Sequence, residues 1–318
     1  MAHRPCIVHP IAAEGNCGVE EAGVELRRVG DCRLRISGGD GGRMDALSEG
    51  RIRAALTTEI FGRELVYLPS AGSTNDVAKD LATQGAPEGT VVLADVQTAG
   101  RGRMRRRWVA PPGTCLLCSI LFRPDLPPAQ AHRLTMLCSL AAADVVTQVA
   151  ELPVSLKWPN DLIVQSPISN LQSPAWRKLA GVLTETGVTG QRLDFVVVGV
   201  GINVNVEPDA LPALAPDATS ILAETGQEVD RAVLLAALLA GVETRYVRLR
   251  AGESPRVEWA ARLATLGQSV AVSTSEGALA GVAEAVDEDG ALLLRTPDGL
   301  RHRLLAGDVT LALPRRRQ

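Results

Sequence analysis

Five arginines crowd into seven consecutive positions of this chain. The segment Gln97-Thr98-Ala99-Gly100-Arg101-Gly102-Arg103-Met104-Arg105-Arg106-Arg107-Trp108 alternates glycine with guanidinium groups and ends on an indole. Guanidinium groups are planar forks that fit carboxylate and phosphate, and Gly100 and Gly102 let backbone amides come close to a ligand. The pattern suits a mobile loop that folds over an anion. A charge run is more often a plain solvated loop, but the alternation with glycine and the adjoining Trp108 argue against that here. A second group is Lys157-Trp158-Pro159-Asn160-Asp161. Pro159, Asn160 and Asp161 are turn formers, so a hairpin tip is the simplest account. A lysine and a tryptophan beside it make a polar site credible, with Asp161 able to take a metal ion or a hydroxyl. Lys178-Leu179-Ala180-Gly181 opens an apolar run. Gly199-Val200-Gly201-Ile202-Asn203 follows Phe195-Val196-Val197-Val198, as a dinucleotide fingerprint would. Its third glycine is replaced by Val204, which opposes a Rossmann site; small residues that let a ligand lie against a sheet are the better account. Ser73-Thr74-Asn75 stands at a helix start, where hydroxyls and amides suit a carbonyl or an anion and where Ser73 alone would serve as an ordinary cap.

Composition removes several other chemistries. The chain has 318 residues, a formal charge of −3, and 33 basic residues of which only Lys79, Lys157 and Lys178 are lysine. None of the three follows glycine, so there is no P-loop. The four histidines, at 3, 9, 132 and 302, are scattered, which weakens zinc and Ser-His-Asp readings. Cys115 and Cys118 form a lone C-x-x-C within an apolar run. On a strand they face opposite sides, so they read as core filler. No signal peptide opens the chain, and Ala232–Val242 is the longest greasy stretch, too short for the ~20 residues of a membrane span. A cytoplasmic protein with reduced thiols is expected, with no membrane and no nucleic-acid partner.

The elements that must position these groups follow from periodicity. Residues 1–43 are Gly-rich and read as a disordered leader. A helical pattern starts near Met44 and runs through Leu47, Ile52, Ala55, Leu56 and Ile60. Strands are expected at 65–68, 90–96 and 114–122, with a helix opened by Ser73 and Asp76 as a capping box. Lys79 then falls on that helix's exposed side. A helix over 127–149, a hairpin over 154–164, strands at 178–186 and 193–206, and a helix at 230–250 complete a domain over 44–265. After 266 the pattern becomes short strands with Gly-containing turns, expected to close a small β-barrel over 266–318.

In this order and spacing, the five segments resemble the biotin–protein ligase family, from about Glu64 through the C-terminal barrel. The resemblance implies an α/β (α+β) catalytic domain related to class II aminoacyl-tRNA synthetases, with a mixed, largely antiparallel sheet, followed by an SH3-like barrel. It also implies the monofunctional type, without a DNA-binding domain. The implied reaction uses ATP, biotin and Mg²⁺ to make biotinyl-5′-AMP, then transfers biotin to a lysine of biotin carboxyl carrier protein. Lys178, Arg103 and Arg101 become the catalytic cations. Ser73, Thr74, Asn75, Gln97, Arg101, Gly102, Arg103 and Lys178 address biotin. Trp108, Lys157, Asn160, Asp161, Gly199, Gly201 and Asn203 address ATP or the adenylate, and Asp161 is the candidate for Mg²⁺. Monomer and homodimer both stay open. A lipoate or octanoate ligase of the same fold is the alternative, and a DNA-binding regulator is a more distant one. The chain departs from the family pattern at Arg105, where the family loop carries glycine, and at the Ser/Pro-rich stretch from Gln165 to Trp176.

Overall fold

Runs of valine, leucine and isoleucine make the strands, and their alternation decides which face of the sheet becomes a core and which becomes a site. The computed structural model describes residues 47–165, 176–274 and 277–311. The expected leader, the Ser/Pro-rich stretch at 166–175 and the terminal arginines lie outside these. The order of elements is α1 (Glu49–Ala55), β1 (Leu65–Ala71), α2 (Thr74–Thr83), β2 (Val91–Gln97), β3 (Cys115–Phe122), α3 (His132–Ala150), β4 (Ser155–Lys157), β5 (Asp161–Gln165), β6 (Trp176–Thr189) and β7 (Arg192–Asn203). Then come α4 (Ile221–Thr225), α5 (Arg231–Arg250), α6 (Arg256–Ala261), β8 (Ser269–Thr274), β9 (Gly277–Val286), β10 (Leu292–Arg295), β11 (Arg301–Leu304) and β12 (Asp308–Leu311). The first seven strands form one sheet in the order β1-β2-β3-β7-β6-β5-β4. Only the β1–β2 pair, connected through α2, is parallel; the other pairs are antiparallel. The sheet is thus mixed and largely antiparallel, as expected.

Alternation along β3 and β7 partitions the chemistry. Leu116, Cys118, Ile120 and Phe122 of β3, with Val196, Val198, Val200 and Ile202 of β7, join the large core beneath the helices α3 and α5. On the opposite face, Leu121, Phe195 and Val197 lie under α2. Further along that face, Ser119 and Gly199 meet Thr74 and Asn75 at the start of α2, and Gly201 lies under the Trp108 ring. Cys115 and Cys118 enter different clusters, so the two thiols diverge. Burial pushes the Cys115 thiol up to about 11, which makes it inert.

The last five strands form a separate antiparallel sheet, β11-β10-β9-β8-β12, consistent with an SH3-like fold. Turns fall at Asp289-Gly290 and Asp298-Gly299, where the glycines take φ of +73° and +85°. The turn expected at Glu276-Gly277 begins on residues outside the described set. The sheet is joined firmly to the larger one. Leu263 bridges Leu156 in parallel on the free edge of β4. The Trp158 ring is buried, and its Nε1 donates to the Gly290 carbonyl at 3.0 Å. Gly290 packs this turn against α3: its φ of +73° favours glycine, and a Cβ there would fall 2.4 Å from the Met136 methyl, which would have to move aside.

Three local expectations change. The first helix is short: Leu56 is extended, because the amides of Glu59, Ile60 and Phe61 donate instead to the Glu243 carboxylate of α5. Ser73 precedes α2 but makes no side-chain cap, so the capping box does not form. β6 continues through Thr189 and turns only at Gly190-Gln191. The segment Pro128–Ala150 is apolar and long enough to cross a bilayer by composition, but most of its apolar stretch is buried against the protein. It is a core helix.

Candidate functional site

The glycine-bearing part of the sheet is the floor of a cavity of about 430 Å³. Its floor is made of glycine for steric reasons. A Cβ on Gly199 would come within 2.2 Å of the Asn75 side-chain oxygen, and one on Gly201 within 2.9 Å of the Trp108 ring. The sequence motif is therefore a flat strand surface on which an amide and an indole rest, and no phosphate-binding turn follows it.

A β-bulge brings the first lysine of the site into place. Leu162 pairs with Ala180 but Ile163 pairs with Lys178, so Leu179 is an extra residue in β6. Leu179 and Ala180 both turn into the core. Lys178 and Gly181, which a regular strand would put on opposite faces, consequently share one: a Cβ on Gly181 would lie 3.5 Å from the Lys178 ammonium. The backbone of Lys178 is held by Asp217 and Thr219, through bonds of 2.6 and 2.9 Å. Its Nζ pairs with the Asp161 carboxylate at 2.7 Å and lies 5.7 Å from the centre of the Trp108 ring.

The arginine loop closes over this floor. Gly100 accepts from Trp108 N at 2.9 Å and Gly102 N donates to the Arg106 carbonyl at 2.7 Å, so the loop is a narrow hairpin with its tip at Met104 and Arg105. Both tip residues are left-handed, with φ of +53° and +60°. Arg103 reaches Asn160 Oδ1 at 3.3 Å and the Gly307 carbonyl at 3.4 Å. Burial pulls its guanidinium below the ordinary arginine range, opposed by the facing carboxylates of Asp161 and Asp308 and assisted by Arg106. Arg106 pairs with Asp308 at 2.7 Å. The barrel thus contributes Gly307, Asp308 and Thr310 to the cavity wall.

Polar groups of α2 line the inner end. Gln97 Oε1 accepts from the Thr74 amide at 2.8 Å and from its hydroxyl at 3.2 Å. Ser119 donates to Asn75 Oδ1 at 2.6 Å, and Asn75 Nδ2 donates to Glu185 at 2.8 Å. Ser73 is buried at the cavity edge. Arg101 does not point freely into the cavity: it pairs with Asp76 at 2.6 Å and Glu185 at 2.8 Å. Lys79 is not an exposed bystander; it pairs with the same two carboxylates at 3.0 and 2.9 Å.

All fifteen residues singled out in the sequence line this one cavity. Several are occupied by the fold. Asn160 Nδ2 donates to the Val182 carbonyl at 2.7 Å and locks the hairpin tip onto β6. Asn203 Nδ2 is spent on the Thr219 carbonyl at 2.9 Å. Lys157 sits 6.0 Å from the Trp176 ring centre. Ser119, Glu185 and Asp308 were not foreseen. Ser119 had a signal, being the lone hydroxyl at the centre of an apolar strand. Asp308 had none, because it opens strand β12 of the other sheet, far from these motifs in sequence. Among the described residues, no group of three or more His, Cys, Asp or Glu converges as a metal site.

Comparison with known proteins agrees with this geometry. Residues 67–203 match the Biotin/lipoate A/B protein ligase family, and residues 265–311 match the Biotin protein ligase C terminal domain. The chain is 35% identical over 268 residues to the bifunctional ligase/repressor BirA of Bacillus subtilis, covering 83% of this chain and 79% of that protein. It is 34% identical over 239 residues to the biotin–[acetyl-CoA-carboxylase] ligase of Paracoccus denitrificans, covering 73% of this chain and 94% of that one. Its structure is similar to that of the biotin protein ligase from Aquifex aeolicus in complex with biotin and ATP, with a TM-score of 0.63 and 27% identity over 79% of this chain and 99% of that one. On these matches, which span both sheets, the chain belongs to the biotin protein ligase family.

Proposed function

We propose that the protein activates biotin with ATP to biotinyl-5′-AMP and transfers biotin to a lysine of an apo carboxyl carrier domain. The observation that carries this is the convergence of Lys178 and Arg103 on one face of a glycine-floored cavity. Two anions, a carboxylate and a triphosphate, must meet, and fixed cations offset their repulsion. In the first step a biotin carboxylate oxygen forms a bond to the α-phosphorus, and the bond to the bridging oxygen breaks with its electron pair leaving on pyrophosphate. In the second, the carrier amine attacks the acyl carbon, AMP departs, and the amine loses a proton. No enzyme nucleophile is needed.

Lys178 holds the carboxylate and the charge growing on the transferred phosphoryl group. Arg103 closes the loop end, and Arg101 adds a third cation once it leaves its carboxylates. Thr74, Asn75, Gln97 and Ser119 are a fixed polar row for the biotin head. Ser73 and Gly102 flank it. Trp108, Lys157, Asn160, Gly199, Gly201 and Asn203 form the nucleotide side. The Trp108 N–H is buried without a partner, and a ligand oxygen would satisfy that donor. Mg²⁺ enters as the counter-ion of ATP, since this ion keeps most of its water and needs only one or two carboxylates; Asp161 is the candidate, with Asp308 nearby. The catalytic part is assigned to 44–265 and the barrel to 266–318, and the cytoplasm is the proposed location.

The decisive assay supplies ATP, Mg²⁺, labelled biotin and an apo carrier domain. Label on the carrier lysine is the expected result. No transfer of biotin, with lipoate transferred instead, overturns the choice of acid. A second expectation concerns the loop tip. Arg105 at φ +60° bears the left-handed cost of ~1–2 kcal/mol, partly offset in a glycine variant by ~0.5–1 kcal/mol of backbone freedom. Arg105→Gly should therefore retain the adenylate longer, by about two- to fivefold. Equal release rates from the two proteins would reject this account of the loop.

A further inference from the structure

Arg101, which lines the cavity, forms a closed ring of alternating charge with Asp76, Lys79 and Glu185. Arg101 Nη2 touches Asp76 Oδ1 and Glu185 Oε2, at 2.6 and 2.8 Å. Lys79 Nζ touches Asp76 Oδ1 and Glu185 Oε1, at 3.0 and 2.9 Å. Two positive and two negative charges balance. The ring sits on the site's own polar row, because the Asn75 amide donates to the oxygen of Glu185 that Arg101 uses. Burial works against the Lys79 charge, but hydrogen bonds to Glu185 and Asp76 outweigh it and lift the ammonium above its ordinary range.

Arg101 lies one residue from Gly102 and two from Arg103, within the loop that borders the anion site. In this arrangement it is parked on carboxylates. We propose that Lys79 is a positioning residue that makes this parking reversible: it stays on both carboxylates when Arg101 turns to the substrate anion, and so keeps Asp76 and Glu185 from holding the guanidinium. This rests on the ligase reading above. The physical reason is competition. Without Lys79, two half-buried carboxylates facing each other have Arg101 as their remaining cation in the ring, and their mutual repulsion is relieved only while it stays. With Lys79, its departure leaves each carboxylate still paired.

The inference also accounts for a lysine here in an arginine-rich chain. A compact ammonium on a flexible stem can hold both carboxylates from one point, and it lacks the fork that lets Arg101 bind an incoming carboxylate or phosphate bidentately. Lys79 reaches the sheet through a partly exposed ion pair to Glu185 of β6, and such pairs contribute little to stability, so its effect should be seen more in rate than in fold.

The test is a charge-swap series measured by pyrophosphate release on adenylate formation, with thermal melting alongside. Lys79→Met should lower kcat/KM for adenylation by about tenfold with the melting temperature little changed. Adding Asp76→Asn to it restores one cation to one anion, and the double variant should recover most of the loss. Lys79→Arg should fall between. A Lys79→Met variant as fast as wild type overturns the proposal, and so does a loss that Asp76→Asn deepens, because a purely structural role predicts that. If wild type itself forms no biotinyl adenylate, the ligase reading fails first and the parking role falls with it; an active wild type with an unaffected Lys79→Met sinks the parking role alone.

Discussion

Lys178→Ala should reduce the rate of adenylate formation by about 10²–10³-fold, the size seen when one preorganised donor is removed from a developing anion. The expectation depends on the ammonium and not on the strand. The amide and carbonyl of Lys178 stay bonded to Asp217 and Thr219 whatever the side chain, so the bulge and its neighbours should persist. What goes is the charge that faces both Asp161 and the Trp108 ring. Asp161, largely buried, is then left with its negative charge beside the incoming phosphates, which adds repulsion to the lost attraction. Lys178→Arg should not rescue. The longer planar group must fit between the indole and the glycine floor, where a Cβ on Gly181 would already come within 3.2 Å of the ring. Single-turnover pyrophosphate release, with a melting curve to show an intact fold, measures this. A Lys178→Ala rate within about threefold of wild type would remove Lys178 from the chemistry.

Trp158→Ala should cost about 3–5 kcal/mol of stability, in the range for a fully buried large aromatic side chain. The ring is 1% exposed. It joins two sheets at once: its indole N–H holds the Gly290 carbonyl of the β9–β10 turn, and its amide donates to Thr265 Oγ1 at 2.9 Å. Losing the ring leaves a cavity exactly where the barrel meets the hairpin that carries Asn160 and Asp161, so activity should fall together with stability. Trp158→Phe keeps most of the volume but orphans the carbonyl, and should cost about 1–3 kcal/mol. Urea unfolding of the three proteins gives the ordering. A loss below about 1 kcal/mol for Trp158→Ala would mean the two sheets are held together elsewhere.

The sequence carried the site further than it carried the junctions. The glycines at 199 and 201 and the small polar group at 73–75 were readable because a flat floor and a helix start need particular residue types. Strand alternation alone places Cys115 and Cys118 on opposite faces, since a period of two is local. The bulge at Leu179 was not readable. It comes from pairing with β5, and nothing in Lys178-Leu179-Ala180-Gly181 announces an extra residue. In sequence Trp158 stands only beside a polar turn, whereas in the fold it anchors the barrel, because its partner Gly290 lies 132 residues away. Lys79 was set on an exposed face by helical spacing alone, which is blind to Glu185 arriving on another strand. The early end of the first helix has the same origin, in amides captured by Glu243 of a distant helix. Long-range contacts of this kind override local propensity.

The extra residue in β6 has a consequence for how such a site can change. On either side of Leu179 the strand runs in a different phase, so its two halves are separate modules that share a backbone. The upstream half answers to the hairpin and fixes where the ammonium sits. The downstream half, from Gly181 through Leu183 to Glu185, sets the shape of the floor and the charge that pairs with Arg101. Substitutions that reshape the floor can accumulate downstream without rotating Lys178 away from Asp161 and the Trp108 ring. A fold with one uninterrupted strand would have to trade ligand shape against the position of its cation; this one does not.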